Sequence, residues 1–554
     1  MKRILFTIAL MSAALFAGAQ DIYSSVEISQ NQYTGTARTM ALGNAVTAIG
    51  GDLGAISVNP AASAVFHYGQ FTLSPGFSRS YSSAAFAPTF NAARGLSDSD
   101  FSGAQGKSQS AFRLPNVGAS MFIGTGRDEG LTGFSFAVVS NMTSNYLNGF
   151  QAGGINDETS ISGSFASMAY GIPDVDLQAA DAVSNYNLNT IAAYRSYVIS
   201  PLPYANDEYY GAAEVFDGSS IYTGGPLHQV SSQQTYGVKK DLELNVGFNF
   251  SDRWMLGFSL GIPHSSYEYV EHFVESAQNY KDFPLDDTYM DYITYQYRLT
   301  RDVAGVYAKV GAIWLPTENL RLGASFRTPT RYTVSEEYDV YESLDLKNKN
   351  YTEDSEFGEF EYRLRSPYTA SFGVAATLAS RALLSVDYEL ADYGIMRYSG
   401  KSREFEARNI ENELFAGIQH AVRAGAELFV TPAFAVRAGY TLTTSPLRYY
   451  DYGNGGIVSA DNFSYADYKT GRLNLGTAQY FSDLTQSVSF GFGYASPGSF
   501  FLDVAARRTV RPQHDFVPYA DYIYDAYGDV SVPSPTVRIN GNLWDVILTF
   551  GWRF

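Results

Sequence analysis

The chain has 554 residues, 17% of them charged, with a formal net charge of −18 and no cysteine. This acidity argues against a nucleic-acid surface, and the missing thiols exclude disulfides and thiolate metal centres. No later run approaches the roughly 18 apolar residues of a membrane helix, yet 43 tyrosines, 37 phenylalanines and 50 glycines suit a wall of strands with aromatic rims and crowded inner positions.

At the amino terminus, Lys2 and Arg3, the short apolar stretch Ile4 to Phe16 and the sequence Ala17-Gly18-Ala19 have the three parts of a secretory signal. Residues 1–19 are expected to be removed, leaving a mature chain that begins near Gln20. The following stretch, Thr34 to Ala62, is dense in Ala and Gly and lacks strand alternation. Ala37, Met40, Ala41, Asn44 and Ala48 fall at helical spacing, so the segment predicts short helices packed into a confined space. Asn59-Pro60 closes it, because proline pushes its predecessor out of the helical region. Taken alone, that dipeptide marks only an ordinary loop.

Beyond residue 69 the period becomes two. Phe71 to Phe77 is a first strand, and six hairpins follow. Val117–Ile123 pairs with Phe134–Val138 across 126–130, and Leu242–Phe250 with Trp254–Ile262 across 251–253. Val306–Trp314 pairs with Leu320–Phe326 across 316–319, and Tyr368–Leu378 with Ala382–Leu390 across 379–381. Val422–Val430 pairs with Phe434–Leu442 across 431–433, and Val488–Tyr494 with Phe500–Ala506 across 496–499. The chain ends on Trp544 to Phe554, where Trp544, Val546, Leu548, Phe550, Trp552 and Phe554 share one face and Ile547 alone breaks the polar run on the other. A terminal strand closing on a free aromatic residue, Phe554, resembles the carboxy-terminal signal of outer-membrane barrels.

These segments make about fourteen strands, an even count, and tight turns alternate with long connections near 80–114, 142–238, 266–302, 331–365, 394–418, 445–484 and 513–541. A soluble sandwich has no reason for such regular alternation, and no blade-length repeat supports a propeller. The fold class is therefore all-β: a transmembrane antiparallel β-barrel of about 14 strands, residues 69–554, with residues 20–68 as a small helical hatch in its lumen. Parity places Tyr307, Lys309, Arg321, Arg327, Asp387, Glu389, Arg423, Glu427, Arg437, Asp503 and Arg507 inward, where they either pair across the lumen, hold a plug or simply solvate the interior. The largest connection, 142–238, contains a stretch from Pro173 to Ile199 with a partly apolar helical face made of Val175, Ala179, Ala182, Val183, Tyr186 and Ile191. Two later loops are rich in tyrosine and acid, one at 449–452 and one holding Tyr519, Tyr522 and Tyr524.

In this setting Asn59, Pro60 and Ala61, after a Gly/Ala-rich stretch, resemble the amino-terminal hatch motif of the long-chain fatty-acid and hydrocarbon transporter (FadL/TodX-type) family. Gly311 to Pro329, Val422-Arg-Ala-Gly-Ala-Glu427 and Val436-Arg-Ala-Gly-Tyr440 are similar to hairpins of that family. The resemblance implies a fourteen-stranded barrel in the outer membrane of a Gram-negative bacterium. It also implies passive, hatch-gated passage of hydrophobic small molecules and a side exit made by a kink in the third strand, near Leu131 to Val139. Partners implied are a hydrophobic ligand, outer-membrane lipids and the barrel-assembly machinery, with the chain as a monomer.

Enzymatic chemistry has little support. The histidines, His67, His228, His264, His272, His420 and His514, form no zinc spacing, and His420 has no specific serine or aspartate partner. Asp451 to Gly456 fails the calcium-loop pattern at its third and fifth positions. No catalytic residue, metal site or cofactor is expected, and the ligand-binding residues cannot be named from the sequence. The long 142–238 insertion leaves an alternative open, a surface-assembly or secretion-associated barrel whose loops receive secreted proteins or lipids. A hydrophilic porin is a third reading, suggested by the charged lumen.

Overall fold

The structure, a computed structural model, describes residues 21–554 apart from 88–89, 92–94, 97–102, 185, 219–220, 286, 348–351, 380, 400–402, 452–456, 461–462, 474, 521, 524–530 and 533. The expected signal, the failed calcium-loop stretch beyond Asp451, and Tyr524 lie outside the described residues.

Alternation closes a single antiparallel barrel of 14 strands. In chain order these are β1 (Gln70–Ala87), β2 (Gln105–Gly124), β3 (Leu131–Asn145 and Asn148–Asn156), β4 (Leu227–Phe250), β5 (Trp254–Ala277), β6 (Thr288–Thr317) and β7 (Leu320–Arg327 and Arg331–Leu346). The ring continues through β8 (Thr352–Arg365 and Thr369–Leu378), β9 (Ala382–Asp392), β10 (Ile418–Thr431), β11 (Phe434–Thr444), β12 (Leu484–Ala495), β13 (Phe500–Val510) and β14 (Thr536–Arg553). It closes where β1 pairs with β14, from Gln70 opposite Arg553 to Ala87 opposite Thr536. In hydrocarbon an unpaired backbone group costs several kcal/mol, so a spanning sheet must close on itself.

The outer wall carries the apolar face. On β5, Trp254, Leu256, Phe258, Leu260 and Ile262 are exposed while Met255 and Ser259 between them are buried. On β14, Trp544, Val546, Leu548 and Trp552 point out, and Asp545, Ile547 and Thr549 point in. Ile547, the exception in the sequence pattern, packs inside against Ala37, Met40 and Ala41. At the short-turn end, Trp254 stacks on Trp314 with centroids 5.1 Å apart, and Trp552 lies between Phe71 and Phe500, forming an aromatic belt. A continuous exposed apolar band of this kind is a lipid-facing surface.

Two expected loops are strands instead. Ser266–Ala277 extends β5, and β6 runs for 30 residues, whereas about 9–11 suffice to cross a bilayer. Segments 331–346 and 352–365 likewise form an antiparallel pair. Above the apolar band the pattern inverts. Phe273, Ile293, Val340 and Leu344 are buried inside the extended wall, while Glu268 and Arg298 pair on its exposed outer side.

The inverted face encloses the large insertion, whose helices α3 (Ile161–Ala169), α4 (Asp174–Gln178) and α5 (Leu188–Arg195) pack into the outer mouth. Ala182 and Ile191 are buried there as expected, and Leu177, outside the expected face, is buried with them, but Val175 and Val183 face solvent. The helical stretch is broken at Ala179, whose backbone is extended, so no single amphipathic helix forms over 173–199.

Introducing charge on the lipid face tests the wall. Phe258→Arg, near the middle of the β5 band, should destabilise the folded barrel by roughly 2–4 kcal/mol, measured by reversible unfolding in lipid vesicles. The neighbouring Ser259→Ala, inward and small, should cost far less; equal losses would rule out the assigned parity.

Candidate functional site

The lumen is built around residues 21–66. Helix α1 (Ile22–Ser29), capped by the Asp21 side chain, sits at the outer end. There Arg301 donates to Glu27 at 3.2 Å, to Ser24 at 3.1 Å and to Glu336 at 2.6 Å. A strap, Gln30 to Thr34, leads to α2 (Ala37–Ala41), capped by Thr36. The helical spacing predicted as far as Ala48 ends early: Gly43 (φ 62°) and Asn44 (φ 60°) adopt left-handed backbone, and a Cβ at Gly43 would press into the Tyr440 and Ala424 backbones. Two 3₁₀ turns, Gly54–Ser57 and Pro60–Val65, then lead the chain to Gly69, which exchanges backbone hydrogen bonds with Phe554 at 2.9 and 3.0 Å.

Asn59 ties this segment together. Its Oδ1 accepts the Ala61 amide at 3.0 Å, and its Nδ2 donates to the carbonyls of Thr47 at 2.7 Å and of Ala312 on β6 at 3.2 Å. Pro60 opens the 3₁₀ turn, where a missing N–H costs nothing. The wall makes room with inward glycines. A Cβ at Gly311 would overlap Asn59, one at Gly257 would overlap Pro60, and one at Gly439 would overlap Gly43. Sequence reasoning noted the glycine content but not this seat; its trace is the register Gly247–Gly257–Gly311 across three neighbouring strands.

The inward charges predicted from parity grip the same segment. Lys309 donates to the Ser57 carbonyl at 2.6 Å and pairs with Glu243 at 3.3 Å. Asp387 accepts the Thr47 amide at 2.7 Å, and Arg321 donates to the Ile49 carbonyl at 2.9 Å. Arg507 bridges Asp545 to Thr34 and the Tyr33 carbonyl. Glu427 receives Arg38 of α2 at 2.8 Å and Arg437 at 2.6 Å, and Arg437 continues to Asp503. Arg423 pairs with Glu389 at 2.8 Å, while Arg327 lies over the Tyr307 ring and 3.8 Å from Asp241. His420 stands apart on the exposed outer face, hydrogen-bonded to Tyr388 at 2.7 Å.

The third strand is broken. From Gly133 to Asn141, β3 pairs with β2, ending at Asn141 opposite Asn116, whose amide reaches the Asn141 Oδ1 at 2.7 Å. Beyond that point β2 keeps only its β1 partner, from Gln105 to Asn116. Pro115, which lacks an N–H, stands at the fork. The outer half of β3 turns inward instead. Asn145 reaches Ser78 at 2.9 Å, and Ser82 donates to the Gly149 carbonyl, both on the inner face of β1. The kink therefore lies at 141–148, beyond the stretch Leu131 to Val139 expected from the resemblance. The strap is attached to it: the Gln32 amide donates to Thr143 at 2.7 Å and the Thr34 amide to Met142 at 2.8 Å.

Above the lumen, the insertion is locked by buried polar groups. Tyr519, from a tyrosine-rich loop, meets Thr159, Asn156 and Gln229 at 3.0–3.2 Å. Glu275 accepts from Ser160 at 2.6 Å and from the Ile161 amide at 2.8 Å, and burial pushes its carboxyl up to about 7. Burial likewise pushes Glu214 up to about 8.

A closed antiparallel barrel with an apolar exterior, short turns at one end, long connections at the other and its own amino-terminal segment in the lumen is a multi-pass barrel of the Gram-negative outer membrane. Among solved structures of this kind, a Pseudomonas aeruginosa FadL homologue matches at 12% identity, covering 94% of this chain and 98% of that one, with a TM-score of 0.49. The Pseudomonas putida toluene transporter TodX matches at 10% identity, with 94% and 98% covered and a TM-score of 0.44. The Ralstonia pickettii toluene transporter TbuX matches at 11% identity, with the same coverage and a TM-score of 0.43. No family model and no curated protein matches the chain.

Two outcomes follow. Gly311→Val should displace Asn59 and loosen the luminal segment, raising single-channel conductance in planar bilayers; an unchanged closed state would show that the wall tolerates a side chain there. Raised carboxyl values mean that the folded cap binds protons its unfolded form would release. Cap stability should be greatest near pH 5 and fall as pH rises through about 7 to 8. Hydrogen-exchange protection of the described residues in 157–226, taken relative to the intrinsic exchange rate at each pH, should be greater at pH 5.5 than at pH 8.5, and Glu275→Gln should flatten the difference.

Proposed function

We propose that this protein is a passive channel for hydrophobic small molecules such as long-chain fatty acids, which it delivers sideways into the bilayer and does not transform. The observation that carries the reading is the break in β3. The axial route is filled by residues 21–66, whereas the ladder between β2 and β3 ends at the fork, where the outer half of β3 turns inward. An apolar solute gains roughly 25 cal/mol per Å² on leaving water, so a lateral exit into acyl chains runs downhill.

Within this reading, residues 1–19 are a cleaved secretory signal, 20–68 the hatch and 69–554 the barrel. Asn59, Pro60 and Ala61 act as the hatch motif, since they tie the 3₁₀ turns to β6. Phe554 serves as the terminal recognition residue for the assembly machinery; its ring is 73% exposed at the barrel's inner rim. The strap's hydrogen bonds to Thr143 and Met142 couple hatch position to the opening. A receptor role for the 142–238 insertion is less favoured, because Phe165, Ile191 and Ala192 are buried within the mouth.

Deleting residues 20–61 should yield an open, ion-conducting pore; low conductance unchanged from the full chain would count against the hatch. The lateral route is tested with the native absence of cysteine. Gln109→Cys, on the inner side of β2 facing Gly149, is coupled to a bulky maleimide, with the outward Ser108→Cys as control. Uptake of a hydrophobic probe into liposomes should fall several-fold only for the first adduct. Equal uptake by both would remove the side exit from the mechanism.

A further inference from the structure

Beneath the luminal segment, at the short-turn end, lies a cavity of about 370 Å³ bounded by the turns at Arg381, Pro432 and Ala495. That volume falls within the roughly 300–1,000 Å³ of small-molecule sites. Five guanidinium groups line it, those of Arg38, Arg321, Arg381, Arg437 and Arg553, against three carboxylates, Asp52, Glu427 and Asp503.

The carboxylates are already engaged. Glu427 and Asp503 are held by Arg38 and Arg437. Asp52 accepts from the hydroxyls of Thr36 and Thr39 and from the Gly54 amide at 2.5–2.8 Å. Among the described residues, Arg321, Arg381 and Arg553 have no acidic partner within ion-pair distance. Arg321 donates only to a backbone carbonyl, and its Nε is buried without an acceptor. The Nε of Arg553 is likewise buried and unpartnered, with its guanidinium 5.0 Å over the Phe501 ring and 5.2 Å over Tyr68. Arg381 stands at the exposed rim. The lining also includes the apolar side chains of Ile49, Val65, Leu383 and Phe434, with Gln70 and Thr377 as further polar groups. Five guanidinium groups against three carboxylates leave the chamber with an excess of positive charge, which an anion can meet through charge-assisted bonds.

We propose that this inner vestibule is a binding site for an anionic amphiphile with a carboxylate or phosphate head. The head lies between Arg321, Arg381 and Arg553, and the alkyl part lies along the Ile49–Leu383 side. The chamber is separated from the β3 fork by the luminal segment, so a ligand bound here is reached from the inner side of the membrane. The proposal rests on the transport reading and deepens it by adding a second place of contact, one that holds the head group. It does not require the lateral exit to be correct.

The experiment is titration calorimetry on the full mature chain in a neutral detergent, with dodecanoate, dodecyl phosphate, dodecanol and inorganic phosphate as probes. The two charged amphiphiles should bind at least about tenfold more tightly than dodecanol. Arg321→Gln with Arg553→Gln should remove that advantage while leaving dodecanol unchanged. The single variant Arg381→Gln, on the exposed rim where folding is insensitive, should weaken the charged probes several-fold. Equal affinity for acid and alcohol, or binding unaltered in both variants, overturns the proposal. Inorganic phosphate binding as tightly as dodecyl phosphate overturns the amphiphile class in favour of a free-anion site. Liposome uptake of an uncharged hydrocarbon, measured on the same variants, reports separately on the transport reading.

Discussion

Backbone hydrogen bonding in a solvent that offers none is the constraint on which this structure depends. Every strand that touches lipid must find partners on both edges, and the pairing of β1 with β14 supplies the last of them. Beside the apolar band the ladder forks between β2 and β3. There the chain uses Pro115, which has no amide hydrogen to strand, and the Asn116–Asn141 side-chain bond to finish the seam. A wall that must close elsewhere can be opened there at small cost, and that localises the candidate exit.

Closure also decides where charge goes. With one face given to lipid, polar side chains have only the lumen, and the luminal segment is what makes their burial tolerable. Lys309 finds Ser57, Asp387 finds Thr47, and Arg38 completes Glu427. Buried pairs of this kind add little net stability over an apolar filling, yet losing one partner costs about 3–5 kcal/mol. They act as a register. The segment fits in one position because the wall charges meet particular backbone and side-chain partners on it, and the inward glycines admit it at one depth.

Much of this was legible in the sequence. Strand parity within the apolar band, the tight turns and the inward charges follow from a period of two with lipid on one side. Ile547, an apparent flaw in that pattern, marks a contact with α2 that no local rule reveals. The outer halves of β5 to β8 escaped reading because their apolar residues change face. Phe273 and Ile293 point inward toward the cap, and polar residues take the outside, so a search for outward apolar alternation ends at Ile262. The kink in β3 was misplaced because it arises from a register break between partner strands. The inner vestibule draws Arg38, Arg321 and Arg553 from elements hundreds of residues apart, and no spacing connects them.

The two ends of the barrel are closed by different physics, and in the proposed channel the difference would give passage a direction. At the outer mouth Phe165, Ile191 and Phe273 form an apolar core around α3 and α5, with carboxyls that burial shifts toward the protonated form. An apolar solute can exchange with such packing contact for contact, since it offers the same kind of surface that it displaces. At the inner end the segment is held by charge-assisted bonds that an apolar solute cannot replace, so displacing Arg38 from Glu427 would leave charge bare. A hydrocarbon entering from outside therefore meets a boundary it can penetrate before one it cannot. Between the two lies a stretch of described wall where neighbouring strands part, at 141–148. Sideways release is the path of least free energy for such a molecule. A molecule with an anionic head differs, because it alone carries acceptors able to compete for the arginines below.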